Sequence, residues 1–304
     1  MDALLSTTDL TKRYQKQLAV NKVSLHVKQG AIYGFIGRNG AGKTTFLKMV
    51  SGLSSPTSGD ISLFGQSGAA RKSMLPRVGV LIEAPGLYPG LSAYDNLDLK
   101  RLCTGVRKPG YVDSVLKTVG LEHVGRKAAK NFSLGMKQRL GIGMALVGDP
   151  DLLVLDEPIN GLDPQGIVEV RDMLLSLNKD RGMTILISSH ILEELSKIAT
   201  HYGIINEGHL LKELTAAQLE EECEQRIVID LPHPEKALPI LDKMGFKQYK
   251  MVDAHTLNIY ERLNESSQIN MTLSKENIEI RSITVSSENI EEYFLNLTKG
   301  DHHA

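Results

Sequence analysis

Three short, unbroken apolar runs set the framework of the chain: residues 31–36, 152–155 and 184–187. Each is too short for a core helix and continuous rather than alternating, the pattern of parallel strands buried on both faces. Each also ends in polar residues able to do chemistry: a loop opening at Gly37, the pair Asp156 and Glu157, and the triplet Ser188, Ser189 and His190. Ligands of open α/β sheets sit just beyond the carboxyl ends of the strands. Three candidate sites therefore converge on one sheet edge before any motif is considered.

Between about 85 and 147 the pattern turns helical, with Gly and Pro punctuating short segments, and predicts an inserted helical subdomain. After Ile204 and Ile205 the character shifts. Thr215 and Gln218 form a capping box ahead of a polar helix that ends near Glu224. Residues 213–225 are thus expected to link a first domain, 1–212, to an accessory domain, 226–304. The accessory domain reads as strand (226–231), helix (234–244), two strands (246–252 and 256–260), helix (265–275) and strand (278–285). That βαββαβ order predicts a small ferredoxin-like α+β fold. A last amphipathic helix follows, capped by Ser287, with Ile290, Tyr293, Phe294 and Leu297 on one face. Packing onto its own domain is the plainer use of that stripe; a dimer or partner contact is the alternative.

Length and composition fit this division. The 304 residues suffice for one large domain and a small one, and 41% hydrophobic with 23% charged residues is ordinary for a globular protein. A net charge of -1 gives no reason to expect nucleic acid or an anionic membrane as the main partner. Cys103 and Cys223 match no metal or disulfide spacing and read as buried or incidental thiols of a reducing compartment. Residues 1–16 lack the apolar core of a signal peptide, and no stretch approaches the roughly 20 apolar residues of a membrane helix. If the chain powers transport, the pore is expected to belong to another polypeptide. His302 and His303 have no expected role.

Gly37-Arg38-Asn39-Gly40-Ala41-Gly42-Lys43-Thr44, followed by Thr45, fits the P-loop pattern. Backbone N–H groups must point inward at phosphate oxygens, which requires conformations and clearances that glycine supplies. The helix beginning at the loop adds its positive end. Lys43 would reach the β- and γ-phosphates, and the Thr44 hydroxyl would ligate Mg²⁺. A chance match is the alternative, weakened by the apolar run before the loop and the helical pattern after it. Asp156 would hold Mg²⁺, and Glu157 would align or deprotonate the attacking water; a solvated acidic turn is the plainer reading. His190, just after a third strand, would bond a γ-phosphate oxygen or that water, unless it is an ordinary capping residue. Tyr14 would stack on adenine or sit in a core.

Taken together these residues resemble the nucleotide-binding domain of ABC transporters, over roughly residues 4–212. The segment Asn131-Phe132-Ser133-Leu134-Gly135-Met136-Lys137-Gln138-Arg139 is similar to the ABC signature that follows the helical insert. The resemblance implies a P-loop NTPase fold of the ABC ATPase type, with ATP and Mg²⁺ as cofactors. It also implies a homodimer in which Ser133 and the Gly135 backbone meet the γ-phosphate held by the other copy. Asn160 to Asp163 is similar to the D-loop that links the two sites, Tyr14 falls at the adenine-stacking position and His190 at the switch histidine. The implied partner is an integral membrane permease, with the ATPase cytoplasmic and peripheral on the inner face of the membrane.

Two positions depart from the family pattern. Glu83 stands where Gln is usual; it retains oxygens able to ligate Mg²⁺ but adds a negative charge near the γ-phosphate. Leu134 and Met136 stand in the signature where Gly and Gln are common. Both departures resemble the branch serving bacitracin resistance and lantibiotic self-immunity in Gram-positive bacteria, whose members have a similar length and an added C-terminal domain. Export of a peptide antibiotic is therefore the expected function. The alternatives are export of sodium, drugs or lipids, a soluble ABC-type ATPase acting on ribosomes or DNA, and an interaction module with a dead nucleotide site. The single cassette, lacking basic tracts and sustained heptads, disfavours the ribosome or DNA reading.

Overall fold

The computed structural model describes residues 3–223, 225–286 and 290–299. Glu224, the expected cap Ser287, and His302 and His303 lie outside the described residues. The chain divides into two compact units, Met1–Ala216 and Ala217–Ala304.

In the first unit, β1 (Ala3–Tyr14) pairs antiparallel with β2 (Gln17–Val23) and β3 (His26–Lys28). The next strand, β4 (Ile32–Ile36), is the first apolar run, and α1 (Lys43–Val50) follows its loop. The sheet of β1 is completed by β5 (Ser58–Leu63), which also pairs with β1. Then come β6 (Val78–Leu81), the helices α2 (Ala93–Thr104), α3 (Tyr111–Thr118) and α4 (Leu134–Leu146), β7 (Leu152–Asp156), α5 (Pro164–Arg181), β8 (Thr184–Ser189), α6 (Leu192–Ser196), β9 (His201–Asn206) and β10 (His209–Thr215).

The core sheet has the order β10-β9-β4-β8-β7-β6. The three apolar runs are thus neighbours, β4-β8-β7, and they are parallel as their two-sided burial requires. β7 and β8 run further than their apolar residues. Phe35 pairs with Ser188, Ile36 with Ser189, and Asp156 with Ser188, so the polar ends are themselves held by the ladder. At the other edge β10 returns antiparallel on β9, as far as Thr215 against His201. The sheet therefore continues past residue 212, because the segment expected to begin a linker supplies a strand. Leu5, Val27, Phe35, Phe46, Leu152, Val154 and Leu186 belong to one buried cluster on which α1 and the strands meet.

The second unit carries β11 (Arg226–Asp230), α8 (Leu238–Lys243), β12 (Tyr249–Met251), β13 (Thr256–Ile259), α9 (Ser266–Lys275), β14 (Ser282–Ser286) and α10 (Ile290–Lys299); α7 (Ala216–Cys223) precedes them at the division. The sheet order β12-β13-β11-β14 is antiparallel throughout, with the first and last-formed strands adjacent, which is the ferredoxin-like topology expected from the sequence. Ile227, Ile229, Leu257 and Ile259 from the strands meet Leu241, Phe246, Ile269 and Leu273 in its core. Residues 278–281 do not extend β14 as the pattern suggests. Ile278 instead closes the end of α9, its N–H donating to the Leu273 carbonyl at 3.0 Å. On α10, Tyr293 and Phe294 are buried and Ile290 and Leu297 half-buried, while Glu291, Glu292 and Leu295 are exposed.

Candidate functional site: a phosphate loop and two carboxylates at the core-sheet edge

The loop after β4 is shaped by backbone crowding. A Cβ on Gly42 would lie 2.3 Å from the Ala19 carbonyl oxygen, and Gly42 has φ +105°, so only glycine is accommodated there. Gly42 is also the N-cap of α1. It offers no capping side chain, and the first turn of α1 holds no acidic residue. Three helices of this unit start differently: Ser92 and Asp95 form a capping box on α2, and Ser133 and Asp163 cap α4 and α5, while α3, which also starts at a glycine without a capping side chain, carries Asp113 in its first turn. At α1 the first-turn N–H groups lack a local acceptor, which is the arrangement that receives an anion.

Behind this loop a connected set of polar groups joins three strand ends. The Thr44 hydroxyl donates to Asp156 Oδ2 at 2.7 Å, and the Ser188 hydroxyl donates to Asp156 Oδ1 at 2.6 Å. The Glu157 N–H in turn donates to Ser188 Oγ at 3.0 Å and to the Ser188 carbonyl at 3.2 Å. These bonds fix Glu157 in a left-handed backbone conformation, φ +49°, which a non-glycine residue adopts at a cost on the order of 1 kcal/mol. Its carboxylate lies between two groups. His190 Nδ1 is 2.7 Å from Oε2, and Lys43 Nζ forms an ion pair at 3.1 Å with Oε1. Oε1 is buried and has no aligned hydrogen-bond donor of its own. Lys43, 6% exposed, also donates to the carbonyls of Gly37 at 2.6 Å and Arg38 at 3.3 Å.

A cavity of about 630 Å³ opens in front of the loop, lined by Asn39, Gly40, Gly42, Lys43, Thr44, Thr45, Glu157 and Tyr14. Tyr14 ends β1, is 47% exposed, and has the Lys12 ammonium 5.0 Å from its ring centre. The cavity is completed by residues that sequence reasoning did not single out: Gln17, Leu18 and Ala19 of the β1–β2 hairpin, and Glu207 and Gly208 at the β9–β10 turn. Gly208 donates to the Ala41 carbonyl at 2.9 Å and accepts from Asn21 N–H at 2.8 Å, so this turn braces the phosphate loop. Glu207-Gly208 between two apolar strands is a hairpin signal, but nothing local to it announces a contact with Ala41. A second cavity, about 500 Å³, lies at the opposite ends of the strands beside Asp151 and Thr184 and holds none of the motif residues.

Four expected site residues lie apart from this cavity. Ser133, exposed, accepts from the Met136 N–H at 3.2 Å as the cap of α4. Asp163, exposed, accepts from Gly166 N–H at 3.1 Å as the cap of α5. The two caps are neighbours: a Cβ on Gly135 would be 3.9 Å from Gly166 Cα, and one on Gly161 would be 3.3 Å from the exposed Leu134. Glu83 is the fourth. Its carboxylate is 63% exposed and paired with Lys48 of α1, and this hydrogen bond raises the Lys48 pKa above the ordinary lysine range. The loop beyond Glu83 is pinned by fully buried Asn96, which accepts from Tyr88 N–H at 2.8 Å and donates to the carbonyls of Ser92 at 2.8 Å and Tyr88 at 3.2 Å.

The donor set matches magnesium better than a metal held by protein alone. Among the described residues, no three His, Cys, Asp or Glu side chains gather as a cage. Thr44 and Asp156 instead present hard oxygens side by side, and Mg²⁺ characteristically takes one or two such ligands together with waters and substrate phosphates. No helix among the described residues is long and apolar enough to cross a membrane.

Comparison with known proteins places this geometry. A family model for ABC transporters matches residues 20–160. The chain is 42% identical over 302 residues to the bacitracin transport ATP-binding protein BcrA of Bacillus licheniformis, covering 99% of each. It is 45% identical over 210 residues to the lantibiotic transport ATP-binding protein SrtF of Streptococcus pyogenes, covering 69% of this chain and 90% of that one. A solved ATP-binding subunit of an ABC transporter superposes with a TM-score of 0.64 at 30% identity, covering 72% of this chain and 92% of the other. The chain belongs to the ABC transporter family, of which it is an ATP-binding subunit.

Proposed function

We propose that this subunit hydrolyses ATP with Mg²⁺ to drive export of a peptide antibiotic, of the bacitracin or lantibiotic kind, through a separate membrane permease. The observation that carries this reading is the extent of the likeness to the bacitracin transport protein. It spans 99% of both chains, second unit included, whereas the lantibiotic transport relative covers 69% of this chain. The subunit would then lie on the inner face of the cell membrane, attached through the permease.

The first-turn N–H groups of α1, the loop amides and Lys43 bind the phosphates. Lys43 must exchange its bond to Glu157 for one to phosphate, which leaves the buried Oε1 to take a proton from the attacking water. His190 holds Oε2 and so fixes the direction in which Oε1 points. Thr44 and Asp156 are the residues that would hold Mg²⁺, which supplies neutralisation of charge on the β- and γ-phosphate oxygens. Tyr14 is the stacking surface for adenine. Ser133 and Asp163, exposed, and Gly135, half-buried, lie away from the cavity and serve the site of a second copy, so that two chains close on two nucleotides.

The division into a nucleotide-binding part, a connector and an accessory part belongs to the same reading, with the ferredoxin-like unit adding dimer contacts or regulating hydrolysis. The test is deletion of the gene in its host, combined with affinity purification of the tagged chain from gently solubilised membranes. A copurifying polytopic membrane protein and heightened sensitivity to bacitracin or a lantibiotic are the expected outcome. Copurifying ribosomal proteins or nucleic acid, with unchanged sensitivity, would refute it.

A further inference from the structure

Glu83 and Glu157 lie just beyond the ends of neighbouring strands. β6 pairs with β7 in register, Val78 with Leu152 through Leu81 with Leu155. Glu83 and Glu157 each follow the last paired residues, Leu81 and Leu155, by two positions. Both glutamates have left-handed backbone, φ +63° at Glu83 and +49° at Glu157. Both are met by a lysine of α1. Thr44 and Lys48 are one helical turn apart on the same face of that helix. From that face Thr44 donates to Asp156 and Lys48 pairs with Glu83. One side of α1 therefore addresses two adjacent strand ends, first with a hydroxyl beside the candidate cation oxygens and then with an ammonium.

We propose that Lys48 is a positioning residue for Glu83: its ammonium holds that carboxylate against α1, away from the Thr44–Asp156 oxygens, and sets how readily it turns toward a divalent cation bound there. This rests on the reading that Thr44 and Asp156 hold Mg²⁺. The physics is a competition between two cations for one carboxylate. The pair is partly solvated, with Lys48 33% and Glu83 63% exposed, so it is weak enough to exchange. Lys48 also lies within electrostatic reach of Asp156, so cation density there acts on both members with opposite sign, attracting Glu83 and repelling Lys48. A glutamine at position 83 would feel neither force as a net charge. Lys48 thus makes a glutamate tolerable at this position in the absence of the cation and ties its movement to the cation's arrival. Because Glu83 opens the loop anchored by Asn96 to α2, that movement bears on the helical segment.

The test uses the full-length protein and a fluorescent ATP analogue, with binding followed by anisotropy while free Mg²⁺ is titrated. Wild type, Lys48→Met, Lys48→Arg, Glu83→Gln and the Lys48→Met/Glu83→Gln double variant are compared, each checked for folding by circular dichroism. Lys48→Met should lower the half-saturating Mg²⁺ concentration about two- to fivefold, the range expected of an ion pair this exposed. Lys48→Arg should restore the wild-type value. In the Glu83→Gln background the same Lys48→Met change should move it less than about 1.5-fold. Equal shifts in both backgrounds would show that Lys48 acts on the site directly and overturn the proposal, as would no shift in either. Wild-type protein that binds the analogue equally with and without Mg²⁺ would sink the cation reading itself, a result distinguishable from both.

Discussion

Two lysines of α1 each meet a glutamate just beyond the end of a parallel strand, yet the two pairs sit in different solvents. Lys43 and Glu157 are 6% and 19% exposed, and the lysine is further held by two loop carbonyls. Lys48 and Glu83 are 33% and 63% exposed. Geometry alone would rank the pairs as equals. Water separates them. A desolvated pair is costly to break by halves, because the surviving charge stays buried. A solvated pair is screened and contributes about 0–1 kcal/mol. The first arrangement gives way only when phosphate arrives to take up the Lys43 charge, and His190 then keeps the direction of Glu157. The second can exchange partners with water filling the gap.

Removing the proposed proton acceptor should have the largest effect. Glu157→Gln should lower phosphate release about 10²- to 10⁴-fold in steady-state assays while nucleotide binding is retained, because the amide keeps the shape but not the basicity. If hydrolysis persisted within about threefold of wild type, Glu157 would not be the base. Next in size, Lys43→Met should weaken binding of the fluorescent ATP analogue roughly ten- to hundredfold, the worth of charge-assisted hydrogen bonds to phosphate. The equivalent change at Lys48 should instead leave affinity at saturating Mg²⁺ nearly unaltered. Similar losses from both lysines would erase the distinction drawn from burial.

Ser188 tests what fixes the buried member. Ser188→Ala removes the donor to Asp156 Oδ1 and one of two acceptors for the Glu157 N–H, the other being the Ser188 carbonyl. An unpaired buried carboxylate oxygen should cost about 1–3 kcal/mol, visible as a lower urea midpoint for the first unit. An unchanged midpoint would mean that Thr44 and the surrounding ladder suffice to hold Asp156.

The sequence carried the local chemistry of this site far better than its connections. Continuous apolar runs announce β4, β7 and β8, and the polar residues at their ends announce the cluster that gathers beside the cavity, because both signals are contiguous in the chain. The ferredoxin-like order of the second unit was legible for the same reason, one element after another. The antiparallel sheet of β1, β2, β3 and β5 was not foreseen: its register shifts between Leu10 and Lys12 and between Thr8 and Thr11, which blurs the alternation that marks a half-buried strand. Ser188 was visible as a polar strand end, but its bridge between Asp156 and Glu157 depends on the pairing of β7 with β8. In the sequence Glu83 stands out as a departure from the family pattern. Its pairing with Lys48 could be anticipated only by setting the i, i+4 face of α1 beside the register of β6 and β7, and that register exists only in three dimensions.

The smallest expected effect bears most directly on the difference between the pairs. A double-mutant cycle on Lys48→Met and Glu83→Gln, read as stability in urea, should give a coupling of about 0.2–1 kcal/mol that shrinks as salt is raised, since exposed charges are screened within about 10 Å at 0.1 M ionic strength. The same cycle on Lys43 and Glu157 should give a larger coupling with less salt dependence, because water has little access between them. A coupling above about 2 kcal/mol at Lys48–Glu83, or one indifferent to salt, would make that pair as fixed as its buried counterpart. Glu83 would then be anchored rather than poised, and Lys48 would serve the fold of the loop instead of its movement.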